Sequence, residues 1–211
     1  MPQCDAKYRP FLFIMQAYFF HMKKHAKCDI IHNMRIAIDT IIKFHTLRTM
    51  AHVESLNYFA GLLGYHFPEH DNDKNSDTMK TAYAYMNYHK YHPEYNISNA
   101  NRELFKQMHA EHHRMQPHHL EHYSNVSEID DITLIEMICD WHSANFEQRY
   151  LTHEDKRDYT VQMFFETHLL KNTKYNWSSH QINLIYDTID FLDMYANYEE
   201  IMKIWRPLLD F

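Results

Sequence analysis

Apolar residues recur every three or four positions along much of this chain, which is the period of α-helices that are buried on one face. In the first third of the sequence the pattern predicts helices over residues 9–27, 30–48 and 50–63. The second of these has on one face Ile31, Met34, Ile38, Ile41 and Ile42. The third has Val53, Leu56, Phe59, Ala60 and Leu63. These faces are expected to be buried.

Proline and polar segments divide the middle of the chain. Residues 67–77 are polar, acidic and opened by Pro68, which predicts a loop or a tight helical turn. Helices are predicted over residues 78–88 and 98–115. The first of them should end before Pro93, because proline disfavours helical backbone in the residue that precedes it.

Capping residues mark the helices of the C-terminal half. Ser127 and Asp130 resemble a capping box at the start of an apolar helix that continues through Trp141. The next helix is predicted to start within residues 152–155 and to carry Val161, Phe164, Phe165 and Leu169. A second capping box at residues 178–181 opens the last long helix. Its predicted buried stripe is Ile182, Ile185, Tyr186, Ile189, Leu192 and Tyr195.

The residue totals favour one helical domain. The 211 residues include only two glycines, Gly61 and Gly64. This excludes a dinucleotide fingerprint, a phosphate loop and a G-x-S-x-G nucleophile elbow, all of which need glycine. It also disfavours a hairpin-rich β fold. We expect an all-α, single-domain chain in which residues 1–48 form a helical extension packed on a core of residues 49–211.

Charge, cysteine content and hydropathy restrict the partner and the compartment. The formal net charge is -7 and the basic residues do not cluster, so nucleic-acid binding is disfavoured. The 3 cysteines form no C-x-x-C pair, which is typical of a reducing, cytoplasmic compartment. The apolar run at residues 11–20 is about half the length that spans a bilayer and is followed by no small-residue cleavage site. We therefore expect a buried helix there, and no membrane association.

Adjacent His70 and Asp71 are the first candidate site. Imidazole and carboxylate suit divalent ions such as Zn, Mn and Fe, and carboxylate also suits Mg. Neighbouring helical residues point about 100° apart, so both side chains reach one ion only where the backbone turns tightly. The alternative is that Asp71 caps a helix within an acidic loop.

The segment from residue 109 to residue 122 contains six histidines. His112 precedes the pair His118 and His119 by one to two helical turns, and His122 follows them. This spacing lets two or three rings converge on metal while the others stay in water. The alternative is a solvated helix face in a chain that holds 19 histidines.

Glu136 and Asp140 are the third candidate. They are four residues apart, so they share one face of a strongly apolar helix. A carboxylate on the inner side of that helix needs a cation or a metal as its partner. The alternative places both carboxylates on the outer side, without a role. The histidines of the first two helices lack carboxylate companions and are interpreted as surface or hydrogen-bonded core residues: His21, His25, His32 and His45.

The order of these candidates resembles the HD-type metal-dependent phosphohydrolases. The residues that carry the resemblance are His52, His70, Asp71, Lys74, His112, His118, His119 and Asp140. A closer similarity is to the family of unknown function 5662, an HD-like family common in phage and bacterial genomes. Its pattern has a helix-borne H, then HD-x-SK, H-x5-HH-x-EH and L-x-EM-x-x-DW. In this chain the segments HDNDK, HHLEH and LIEMICDW match that pattern, with Asp73 in place of serine and Leu120 in place of proline. The likeness covers residues 49–175.

The resemblance implies an HD-like helical bundle around one or two divalent ions, drawn from Mn, Fe, Zn and Mg. One ion would be held by His52, His70, Asp71 and Asp140. The second would be held by His112 and by His118 or His119, with Asp71 as the bridge. The implied activity is the hydrolysis of a nucleotide or another small phosphoester by metal-activated water. Lys74 would neutralise phosphate oxygens, and Glu121 or His122 would protonate the leaving oxygen.

Two other functions remain open. One is a non-catalytic helical binding protein that a metal stabilises, and the other is a di-iron oxygenase of HD-like type. Seven candidate metal ligands are too many for one closed tetrahedral site, which favours hydrolysis. The sequence does not indicate an oligomeric state.

Overall fold

The computed structural model describes residues 37–152 and 158–211. The helix predicted over residues 9–27 and the beginning of the one predicted over residues 30–48 lie outside the described residues. Within the described ranges the chain forms seven α-helices and no strand, so the all-α prediction is confirmed. The helices are α1 Ile38–Leu62, α2 Lys80–Tyr91, α3 Asn99–Met115, α4 Asp131–Tyr150, α5 Val161–Phe164, α6 Ser179–Tyr195 and α7 Tyr198–Leu209.

The other helices are arranged around α1, which contacts α2, α4 and α7. The buried side of α1 carries Phe44, Leu56 and Phe59, each at most 2% exposed. In α4, Leu134 and Ile138 are fully buried. Burying each such side chain contributes about 1.5–3 kcal/mol. This packing fixes α1 and α4 side by side, and these two helices carry His52 and Asp140.

The predicted break between helices at residues 48–50 is wrong, because one helix runs from Ile38 to Leu62. No glycine or proline lies between residues 38 and 60 to interrupt it. Arg48 is buried on the inner side of the helix, where it donates hydrogen bonds to Glu147 of α4. His52 is therefore held in the middle of a long helix, not near the start of a short one.

The capping predictions have different outcomes. Ser178 and Gln181 form the predicted capping box at the start of α6. The box predicted at Ser127 is wrong, since Ser127 lies in a short 3-10 turn and Asp130 is the residue that caps α4. The side chain of Asp130 accepts a hydrogen bond from the backbone N–H of Thr133. A carboxylate performs there the role expected of serine.

The C-terminal third differs from the prediction at three points. Thr160 caps α5, which begins at Val161 and continues as a π-helix over Phe165–Leu170. The predicted start within residues 152–155 falls largely outside the described residues. Helix α7 was not predicted; Asn197 caps it, and its buried residues are Ile201, Trp205 and Leu208. Tyr195, which was predicted to be buried, is 57% exposed.

One wider prediction, the absence of membrane association, is tested in part, and another, the domain division, is not tested. No helix among the described residues combines the length and the apolar character needed to cross a bilayer. The division into an extension of residues 1–48 and a core of residues 49–211 stays a prediction, because most of the extension lies outside the described ranges. Helix α1 passes through residue 48 without interruption.

Candidate metal centre

The turn between α1 and α2 brings His70 and Asp71 against α1. Asp71 has φ 61° and ψ 10°, a left-handed conformation in which Asp and Asn are enriched among non-glycine residues. It begins the 3-10 turn Asn72–Asn75. Nε2 of the fully buried His45 donates to the carbonyl oxygen of Lys74, 3.0 Å away, and thereby ties this turn to α1. The tight backbone turn that the sequence argument required is present.

His52, His70 and Asp140 form the first group of candidate ligands, which we call the first inner group. Nε2 of His52 lies 3.0 Å from Oδ1 of Asp140, and Nε2 of His70 lies 3.8 Å from the same oxygen. One ligand atom from each of the three residues lies within 4.8 Å of the others. Ligands at about 2.1 Å from one ion are separated by comparable distances. This group can therefore hold a metal ion.

Asp71, His112, His118 and His119 form the second inner group, whose ligand atoms also lie within 4.8 Å of one another. Oδ1 of Asp71 lies 3.3 Å from Nε2 of His112 and 3.5 Å from Nε2 of His118. Nε2 of His119 lies 2.9 Å from Nε2 of His112. The other carboxylate oxygen of Asp71 lies 3.6 Å from Nε2 of His52. Asp71 therefore stands between the two inner groups.

Carboxylates on the outer side orient two of the histidine rings. Nδ1 of His70 lies 2.8 Å from Oε1 of Glu136, and Nδ1 of His112 lies 2.8 Å from Oδ2 of Asp73. In each pair Nδ1–H donates to the carboxylate. The opposite nitrogen, Nε2, then faces the interior, as in histidines that bind metal.

A serine orients the third ring. The hydroxyl of Ser143 donates to the carbonyl oxygen of His52, 3.0 Å away. Nδ1 of His52 lies 3.0 Å from the same hydroxyl oxygen. Because the hydroxyl proton is already used, Nδ1–H of His52 is the donor in the second contact. This arrangement leaves the lone pair of Nε2 facing Asp140.

The charges in the centre are balanced by one lysine and by histidine protons. Nζ of Lys74 lies 2.6 Å from Oδ2 of Asp71. Burial acts to raise the pKa of Asp71, but the charges of Lys74 and His70 lower it well below its ordinary value. Burial acts to lower the pKa of His70, but the nearby charge of Asp71, the contact with Asp140 and the hydrogen bond to Glu136 raise that pKa to about 10. The buried carboxylates therefore favour positive charge at His70, and a divalent ion bound at Nε2 would take the place of the proton there.

Three buried polar atoms at the middle of the centre lack a hydrogen-bond partner in the described part of the chain: Nε2 of His70, Nε2 of His118 and Oδ1 of Asp71. Leaving one such group unpaired costs about 1–3 kcal/mol, so three at one point are unfavourable. A divalent ion would satisfy all of them. The imidazole and carboxylate donors suit Zn, Mn or Fe. The residues present therefore fit a divalent metal ion.

A cavity of about 290 Å³ opens onto the centre. Its lining includes His70, His118 and Glu136 together with the apolar residues Phe67, Pro68 and Pro117. No lysine or arginine occurs in this lining as far as the described residues extend. The cavity thus borders two candidate metal ligands, whose Nε2 atoms are themselves buried.

The two predicted proton donors lie on the short turn Leu120–His122, outside both inner groups. Nδ1 of His113 lies 3.2 Å from Oε2 of Glu121. Nδ1 of His122 donates to the carbonyl oxygen of Arg114, 3.0 Å away. The seven predicted metal ligands thus come together, whereas these two side chains make other contacts.

Two residues that orient the ligands were not predicted from the sequence. Asp73 was noted only as a replacement for the serine of the family pattern, yet it accepts a hydrogen bond from His112. Ser143 was not noticed at all. It follows Asp140 by three residues on α4 and so lies on the same helix face, which is a signal that could have identified it.

Comparison with other proteins places the chain in a family but not in a functional class. No curated protein and no solved structure matches it. A match does extend over residues 17–196, well over half of the chain and including every residue of both inner groups. The chain therefore belongs to the family of unknown function DUF5662.

Proposed function

We propose that this protein is an HD-type, metal-dependent phosphohydrolase that acts on a nucleotide or another small phosphoester. The observation that carries the proposal is the position of Asp71. Its Oδ1 lies 3.3 Å from Nε2 of His112, and its Oδ2 lies 3.6 Å from Nε2 of His52. A carboxylate between two sets of ligands suits a pair of ions, with which phosphatases and nucleases stabilise the attacking and leaving oxygens.

Each inner group would hold one ion. The first ion would be bound by His52, His70 and Asp140. The second would be bound by His112, His118 and His119, with Asp71 between the two ions. Divalent ions held by these residues would lower the pKa of water and so would supply a nucleophile near neutral pH.

Other side chains would handle charge and protons. The ammonium group of Lys74, already next to Asp71, would stabilise negative charge on the phosphoryl oxygens. Of the two predicted proton donors, His122 is the better candidate to protonate the leaving oxygen. The hydrogen bond from His113 lowers the pKa of Glu121, so this carboxyl group is ionised near neutral pH.

The cavity supports a small substrate. Its volume of about 290 Å³ is at the lower end of the range for ligand pockets, roughly 300–1,000 Å³. The apolar surfaces of Phe67, Pro68 and Pro117 offer contacts to the organic part of a phosphoester. The phosphoryl group would then lie beside His70 and His118.

A screen of small phosphoesters with the Mn-loaded protein tests the proposal. The variant Asp71→Asn removes one charge and keeps a residue that tolerates the left-handed backbone. We expect Mn-dependent release of phosphate by the wild type and a background rate in this variant. Asp77→Asn, at an aspartate whose side chain is 93% exposed, is the matched control and should keep the wild-type rate. Equal rates in the wild type and Asp71→Asn would contradict the proposal.

A second candidate function is oxygen chemistry at a di-iron centre, which the donor set also suits because it contains only imidazole and carboxylate. Iron content, a visible absorption band and consumption of O₂ would identify it. A purely structural metal is less favoured, since structural sites are closed. Here His70 and His118 belong to the lining of a cavity.

A further inference from the structure

A third cluster of ligand atoms lies on the outer side of the second inner group. His113, His119 and Glu121, which we call the outer triad, each place one such atom within 4.8 Å of the others. The rings of His113 and His119 are stacked, with centroids 3.9 Å apart and planes 12° apart, so one ring has to rotate before both can direct a nitrogen lone pair at a single ion. Nδ1 of His113 lies 3.2 Å from Oε2 of Glu121.

The geometry of α3 explains why this cluster faces outward. His113 directly follows His112, and consecutive helical side chains point about 100° apart. The side chain of His112 is consequently 0% exposed, whereas that of His113 is 22% exposed. Glu121, on the following turn, has a side chain that is 49% exposed. Water and ions therefore have access to the outer triad.

We propose that the outer triad binds a further divalent transition-metal ion, such as Zn²⁺. Two imidazoles and one glutamate form a zinc-binding set that leaves a fourth coordination position for water. Because Glu121 is partly exposed, water can reach an ion bound there. Tetrahedral ligands about 2.1 Å from zinc lie roughly 3.4 Å from each other. The contact of 3.2 Å between His113 and Glu121 is already close to this spacing.

His119 couples the outer triad to the second inner group. Its Nε2 lies 2.9 Å from Nε2 of His112, and it belongs to both sets of ligands. An ion in the outer triad would therefore share His119 with the inner group, each through one of the two ring nitrogens. An ordinary ion pair between His113 and Glu121 would require neither His119 nor a metal.

Equilibrium dialysis of the EDTA-stripped full chain against ZnCl₂, with bound zinc counted by mass spectrometry, tests the outer triad. The informative variants are His113→Gln and Glu121→Gln. The matched control is Glu111→Gln, since Glu111 is an exposed α3 carboxylate paired with Arg114. We expect the wild type and the control to bind one more zinc ion per chain than either informative variant.

Two results would contradict zinc binding by the outer triad: equal zinc in all four proteins, or an equal loss of zinc in the Glu111→Gln control. Circular dichroism would verify that each variant is helical, and if His113→Gln did not fold, Glu121→Gln alone would decide. The test counts a difference in bound ions. Its outcome is therefore separate from that of the proposed hydrolysis, and it does not require that the inner groups bind metal.

Discussion

Nδ1 of His70 donates a hydrogen bond to Oε1 of Glu136, 2.8 Å away on α4. This bond turns Nε2 of His70 toward Asp71 and Asp140, at 3.8 Å from an oxygen of each. Glu136 thus orients a candidate ligand and also lines the cavity.

The variant Glu136→Gln should therefore bind metal less tightly. Loss of a group that orients a metal-bound histidine typically reduces affinity by about 10–100-fold, and we expect a loss in that range. Competition with a chromophoric chelator measures it. Glu128→Gln, at an exposed glutamate of the turn Val126–Glu128, is the control and should bind as the wild type does. Equal affinities in all three proteins would show that Glu136 does not orient the ligand.

Ser143→Ala should weaken metal binding through His52. Without the serine hydroxyl, Nδ1–H of His52 loses its acceptor, and the ring is no longer fixed with Nε2 toward Asp140. We expect a loss of affinity of about tenfold or more by the same reasoning. Isothermal titration calorimetry with Mn²⁺ would measure the loss. Ser127→Ala, at an exposed serine, serves as the control. An unchanged dissociation constant in Ser143→Ala would refute this role.

The buried pair of Arg48 and Glu147 should be important for stability. Nε of Arg48 donates to Oε1 of Glu147 at 2.9 Å, and the two side chains are 8% and 2% exposed. Removing one partner of such a pair costs about 3–5 kcal/mol, because the other charge stays buried and unpaired. We expect Arg48→Met to lower the free energy of unfolding in urea by that amount. The double variant with Glu147→Met should be more stable than Arg48→Met, and a less stable double variant would contradict this explanation.

Stability should decrease in mild acid because of His45. Burial lowers the pKa of His45 to about 4, against an ordinary value of 6.5. The unfolded state therefore takes up a proton in this interval while the folded state does not. Above about pH 6.5 His45 is neutral in both states and costs no stability. As the pH falls toward 4, protonation of the unfolded state lowers the free energy of unfolding by about 3 kcal/mol, at 1.4 kcal/mol per pKa unit.

The variant His45→Gln tests this contribution. Glutamine can still donate to Lys74 and accept from Asn87, but it does not titrate. With a chelator present, its free energy of unfolding should depend less steeply on pH between 6.5 and 4 than that of the wild type. His180→Gln, at a histidine whose side chain is 68% exposed, should leave the slope unchanged. Parallel curves for the wild type and His45→Gln would count against a neutral, buried His45.

The sequence predicts those features that depend on neighbouring residues. The capping box at Ser178 and the end of α2 before Pro93 follow from local backbone chemistry, and both are present. The continuity of α1 is different, since Arg48 is buried only because Glu147, 99 residues away, provides its partner. Periodicity cannot reveal such a pairing. Helix α7 was missed although Ile201, Trp205 and Leu208 have helical spacing.

The candidate ligands of the metal centre could be predicted from the sequence, but most of the contacts that orient them could not. The order of His52, His70, Asp71 and Asp140 carried the resemblance, and these residues do come together. The left-handed backbone at Asp71 could be expected only as an unspecified tight turn. The hydrogen bond from His112 to Asp73 depends on tertiary packing, because the two residues are 39 positions apart.

Counting bound metal shows whether the buried histidine and aspartate side chains hold divalent ions. Wild-type protein and Asp71→Asn would be reconstituted with Mn²⁺, freed of unbound metal and analysed by mass spectrometry, with circular dichroism to verify that both are folded. We expect at least one ion per chain in the wild type and at least one ion fewer in Asp71→Asn. A wild type without metal, or equal metal in both proteins, would contradict this expectation.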